Sequence, residues 1–281
     1  MALKENIVLF FKKKKNEEKY LFDIRKVTLP DGTAYIGKNL IIDGTVSGSD
    51  NIITMGSING EIELSGDIEI GDTSKINGKI YAEKIFVSGF VEGAVFASER
   101  ICLEKTAKIK GVVIAKRLSV EDGAVFDGEA RMSGNSESDN LFKDNENFNS
   151  CKKIRKNTPA EVIEEAKDFI SNKTASFISR NSRVDGNVGG NESIIVEGFI
   201  KGLISLKGNI IVGSAGVIEA DVEADNISVL GKITGNVFAR QQLVIQPSGK
   251  IQGDISARSI DIKEGALFEG RSHMISSVSV P

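Results

Sequence analysis

One arithmetic regularity constrains this chain more than any other: each glycine-centred apolar unit in residues 44–128 has a counterpart 142 residues later, with no insertion or deletion. An apolar-X-Gly-X-apolar unit appears as IDGTV around Gly44, INGEI around Gly60, INGKI around Gly78, VEGAV around Gly93, IKGVV around Gly111 and FDGEA around Gly128. The spacings between the central glycines are 16, 18, 15, 18 and 17 residues. The second series, at Gly186, Gly202, Ala220 (alanine in the glycine place), Gly235, Gly253 and Gly270, repeats those spacings in the same order. A fixed internal period of this size marks stacked supersecondary units, here two copies of a six-unit domain.

Between the glycine units lie second apolar triplets at the same offset, such as Ile85-Phe86-Val87 with Ile227-Ser228-Val229, and Ile101-Cys102-Leu103 with Leu243-Val244-Ile245. Their outer members stay apolar while the middle one varies, the period-2 signature of a strand with one buried face. A coil of 15–18 residues with about three apolar pairs describes a chain winding through three short faces, each coil stacked on the last as a parallel ladder. Glycines such as Gly56, Gly71 and Gly123, and their counterparts Gly198, Gly213 and Gly265, fall where the chain turns a corner. The expected architecture is all-β: two tandem triangular parallel β-helices of six turns each, spanning 37–133 and 179–272.

The segments outside the repeat read differently. Residues 134–178 form a linker, polar at first and then helical near 159–171. Thr158 is a candidate N-cap, Pro159 takes the first helical position and Glu161 completes a capping box. Val162, Ile163, Ala166, Phe169 and Ile170 make one apolar stripe along that short amphipathic helix, suited to covering the open first turn of the second solenoid or to docking a partner. Residues 273–281 form a C-terminal tail. In the N-terminal segment, 1–36, Ile7, Val8, Leu9, Phe10 and Phe11 precede Lys12, Lys13, Lys14 and Lys15. That order suits attachment to an anionic membrane surface, and equally a strand or helix folded on the first solenoid. This segment carries 8 Lys/Arg against 5 Asp/Glu, so attraction to an anionic surface is concentrated there.

Several function classes fall away. A net charge of −3 lacks the basic surface of a nucleic-acid binder, so no nucleic-acid partner is expected. Two cysteines are too few for a disulfide framework and have no metal-ligand spacing, and no cofactor motif is present. No apolar run approaches transmembrane length and no secretory signal precedes the repeat, which points to a cytoplasmic protein. Left-handed β-helix acyltransferases share coils near 18 residues, but they keep a stricter hexapeptide pattern and use a histidine base within a coil. The single histidine, His273, lies past the last repeat, badly placed to reach a substrate. Close carboxylate pairs suited to glycoside chemistry do not recur across turns. A non-enzymatic protein is expected, either a self-associating scaffold or a solenoid that acts as an adaptor or binding module.

The units GSINGEI and GKITGNV, the six-turn count, and the closing EDGAVFDGEA and KEGALFEGRS resemble the bactofilins, polymer-forming bacterial cytoskeletal proteins. The resemblance covers 37–133 and again 179–272, and departs from the single solenoid of a typical member. It implies a right-handed β-helix that assembles end to end into filaments or sheets. Phe126 and Phe268 of the last turns would serve as end-contact residues. It also implies attachment to the inner membrane surface through the N-terminus, and scaffolding of cell-shape or envelope proteins. Independently, a solenoid end exposes unpaired strand groups and an apolar cross-section, and no polar cap follows Gly270. The outward middle positions supply a further expectation, a lateral contact column through Phe86, Ile195, Ile211 and Val244. Replacing Phe86 and Val244 with lysine would disrupt such a contact without unfolding the chain.

Overall fold

The computed structural model describes residues 7–13, 20–26, 32–132 and 175–275. Residues 32–132 and 175–275 form two β-solenoids, and among the described residues every regular element is a strand. The linker helix expected near 159–171 lies outside the described residues.

Each coil opens on the triplet face. In the first solenoid this face stacks Thr33–Ile36, Asn51–Thr54, Ile68–Ile70, the ends of Lys75–Val87 and Phe90–Leu103, and Arg117–Val120, all in parallel register. A tight turn follows, closed in several coils by main-chain bonds such as Ser74 N–H to Gly71 O (3.0 Å) and Ala107 N–H to Glu104 O (2.8 Å). The chain then runs through the glycine-centred strand, which bends at its central glycine to make the other two faces. Gly44, Gly60, Gly78, Gly93, Gly111 and Gly128 pair in one ladder. Gly78 shows why the column is glycine: its φ is +148°, and a methyl there would overlap the carbonyl oxygen of Gly60. The inward positions form columns of Ile, Val and Leu, such as Ile42, Ile58, Ile76, Val91 and Ile109, all buried. β-branched side chains suit such a ladder because they fill a pleated surface with few rotamers.

The second solenoid repeats this plan from Ala175–Ile178 to Ser272–Met274. The coils therefore start at Thr33 and Ala175, four residues before the expected bounds at 37 and 179. The last coil runs through Met274, which puts the exposed His273 in a short strand instead of a tail.

The two solenoids do not lie side by side. Leu40–Gly48 pairs antiparallel with Ser182–Gly190 over nine residues, and Tyr35 pairs with Phe177. In that ladder Gly44 lies opposite Gly186, its own counterpart at +142, as Tyr35 lies opposite its counterpart Phe177. A pseudo-twofold axis thus crosses the chain between the two first coils. The halves meet head to head in a single rod of twelve coils, on the order of 55 Å long. The open first turn of the second solenoid, which the linker helix was expected to cover, is covered by the first solenoid.

Candidate assembly surfaces

Two ends of each solenoid can be compared directly, because they are cut from the same core columns. At the junction, the first-coil residues Ile36, Leu40, Ile42 and Val46, with Ile178, Val184 and Val188 opposite, are all buried as deeply as mid-solenoid residues. Polar contacts complete the seal. The Asn39 N–H donates to the Glu192 carboxylate (3.0 Å), which also accepts from the Ser176 hydroxyl; Ser176 Oγ in turn accepts from the Gly37 N–H (2.8 Å). Across the pseudo-twofold, the Asn181 side-chain amide donates to Asp50 (2.9 Å). Both carboxylates are buried, and at these sites an unmade hydrogen bond costs about 1–3 kcal/mol, so the contacts fix the register of the joint. Burial, helped by the Glu192 carboxylate, raises the Tyr35 phenol above its ordinary pKa and keeps it neutral there.

The outer ends are open. Val120 ends the column of Thr54, Ile70, Val87 and Leu103, all fully buried, yet it is itself 49% exposed; its counterpart Ile262 is 46% exposed. Met132 and Met274, each 59% exposed, cap the columns below them in the same way. Phe126 and Phe268 sit on the last coils, stacked over Ile109 and Ile251 and only partly covered. Core-facing side chains exposed in matched pairs at two ends are what a missing neighbouring coil would leave.

The residues expected to form a lateral column fall on one continuous face. From the fifth coil of the first solenoid to the fifth of the second it carries Cys102, Phe86, Glu69, Ile53, Tyr35, then Phe177, Ile195, Ile211, Ser228 and Val244. Alternation turns these side chains away from the core, and Phe86 with Cys102 forms an apolar cluster separate from it. They are nonetheless covered: Phe86 is 5% exposed, Ile195 6%, Ile211 7%, and Cys102 and Val244 are at 0%. Cys102 is disulfide-bonded.

At the N-terminus, Ile7–Lys13 pairs antiparallel with Tyr20–Lys26, so the apolar run and Lys12 and Lys13 form one strand of a hairpin; Lys14 and Lys15 lie outside the described residues. Among the described residues no helix is long and apolar enough to cross a membrane.

The repeat pointed to the open ends and the apolar column, but not to the junction. Asn39 with Asn181, and the acidic pair Asp50 with Glu192, each recur at +142 within the first coils. That doubled polar set was the available signal.

A stacked solenoid with apolar, unpaired ends defines a class of self-associating structural proteins. The family model described as polymer-forming cytoskeletal matches residues 34–131 and again 176–273, and the chain belongs to that family, the bactofilins, as a tandem of two domains. Among relatives in Myxococcus xanthus, bactofilin BacO is 38% identical over 91 residues, covering 32% of this chain and 72% of the relative. Bactofilin BacN is 47% identical over 100 residues, 36% of this chain and 88% of the relative. Bactofilin BacP is 32% identical over 104 residues, 37% of this chain and 43% of the relative. No solved structure gives a significant match.

Proposed function

We propose that this bactofilin is a non-enzymatic, cytoplasmic scaffold whose rods join through their two open ends into filaments or sheets that support cell shape or envelope machinery. The observation that carries the reading is the contrast between ends cut from the same columns: sealed at the first coils, half-exposed at Val120, Met132, Ile262 and Met274. Because the head-to-head junction uses up both first coils, both remaining ends are last coils. Growth therefore pairs last coil with last coil, with Phe126 and Phe268 inside the contact. Negative-stain electron microscopy of the purified chain should show continuous threads or sheets with a repeat near the rod length. Isolated rods of about 55 Å at every concentration would instead make the chain a local adaptor.

The N-terminal segment supplies attachment to the inner surface of the membrane, through Ile7–Phe11 and the lysines at 12–15. At roughly 1 kcal/mol per lysine near an anionic surface, one copy binds weakly and an array binds by avidity. In flotation with vesicles containing anionic lipid, replacing Lys12, Lys13, Lys14 and Lys15 with glutamine should cut the bound fraction by more than tenfold. Equal flotation of parent and variant would remove the membrane from the reading.

A further inference from the structure

The two solenoids share one surface corner, and only in the second does a side chain of the protein fill it. There the ladder shifts register, between Ala82 and Lys84 in the first copy and between Ala224 and Asn226 in the second. The fourth coil carries one residue more than the third at this bulge, and a bulge re-aims the side chains beside it. In the second solenoid Arg240 sits in the bulge. Its guanidinium donates to the Leu206 carbonyl (2.8 Å), to Asp225 (3.1 Å) and to Glu223 (2.8 Å).

The first solenoid keeps this frame without the arginine. Leu64 stands at the place of Leu206, Glu83 at that of Asp225, and Ser98 at that of Arg240. These three line an open groove of about 580 Å³. Tyr81 replaces Glu223 and stacks on Phe96, with ring centroids 4.7 Å apart and planes 5° from parallel. With Ile114 in the same column they make an apolar wall. The opposite side is acidic. Lys84 lies 3.7, 3.6 and 3.4 Å from Asp67, Glu83 and Glu99, one ammonium among three carboxylates. Burial, with Glu83 and Glu99 adding to it, holds the Asp67 carboxyl above its ordinary pKa although Lys84 is beside it, as a local excess of negative charge does.

We propose that this groove of the first solenoid binds an arginine side chain from an extended segment of a partner protein, its guanidinium taking the place that Arg240 holds in the second. The planar fork of a guanidinium can bond a main-chain carbonyl and a carboxylate together and lie on an aromatic face, whereas an ammonium is a point charge. The groove crosses four coils, about 14 Å, which about four extended residues span. Side chains two positions either side of the arginine point the same way, onto the wall of Tyr81, Phe96 and Ile114. The site is on the flank of the rod, so it does not depend on growth through the last coils.

The probe is the capped peptide acetyl-Leu-Ser-Arg-Ser-Leu-amide, followed by equilibrium dialysis against the full chain. It should bind at least tenfold tighter than the same peptide with citrulline, which keeps the shape and loses the charge. Ser98→Arg gives the first solenoid the residue that the second already holds at this bulge. It should therefore fill the groove and weaken peptide binding at least tenfold. Arg240→Ser should empty the second groove and raise the number of bound peptides from one to two. No binding by the parent at millimolar peptide, equal binding of the citrulline peptide, full binding by Ser98→Arg, or one bound peptide in Arg240→Ser overturns the proposal. Slower sedimentation of Ser98→Arg than of the parent, with no peptide present, would give the groove to a second copy and overturn the partner.

Discussion

Phe268→Arg alone should stop assembly at pairs of rods, and Phe126→Arg with Phe268→Arg should leave single rods. The difference follows from the pseudo-twofold junction. If the halves ran head to tail, the two ends would differ and blocking either would leave monomers. With two like ends, one blocked end leaves the other free to pair once. An arginine buried against an apolar facing coil is an unpaired charge, a defect of about 3–5 kcal/mol, so the end contact should weaken at least a hundredfold. Sedimentation velocity reads the three states as threads, pairs and singles. The fold is guarded by location: Phe126 and Phe268 belong to the terminal coils, on which no further coil depends. A single variant that still forms threads, or one that gives single rods, would contradict the assignment of like ends.

The second large effect is expected at the centre of the rod. Gly44 has φ +153°, and a side chain there would overlap the carbonyl oxygen of Asp185 across the junction, whereas at Gly78 the clash is with Gly60 inside the same solenoid. Gly44→Val should therefore strain the joint, costing about 3–5 kcal/mol from the disfavoured φ and the steric overlap. Stacked units are coupled through nearest neighbours. Weakening one central interface should split urea unfolding into two transitions, where the parent gives one, while Gly78→Val should mainly lower the transition of the first solenoid. A single, unshifted transition for Gly44→Val would show that the junction contributes little to the stability of the rod.

Much of this was legible in the sequence because a solenoid writes its coil into the chain one turn at a time. The glycine column, the inward Ile and Val columns and the doubled plan all follow from local periodicity. What stayed hidden depends on placement between copies. Nothing local says that Leu40–Gly48 takes Ser182–Gly190 as its antiparallel partner, since each strand reads the same whether its edge is free or paired. The first triplet strands, Thr33–Ile36 and Ala175–Ile178, precede the first glycine unit and so fell outside the repeat. Thr54 sits in a core column where its counterpart is Val196; its hydroxyl is matched by Ser74 Oγ at 3.4 Å, a residue twenty positions on. Alternation correctly turned Phe86 and Val244 outward, but whether an outward residue is wet depends on what crosses the face, which periodicity does not encode.

The head-to-head joint has a kinetic and a directional consequence. Two separate solenoids would meet at a rate set by their concentration; here that encounter is internal to one chain and survives any dilution. In the proposed threads, every remaining contact would join one last coil to another, so both tips would grow by the same kind of contact although the two last coils differ in sequence.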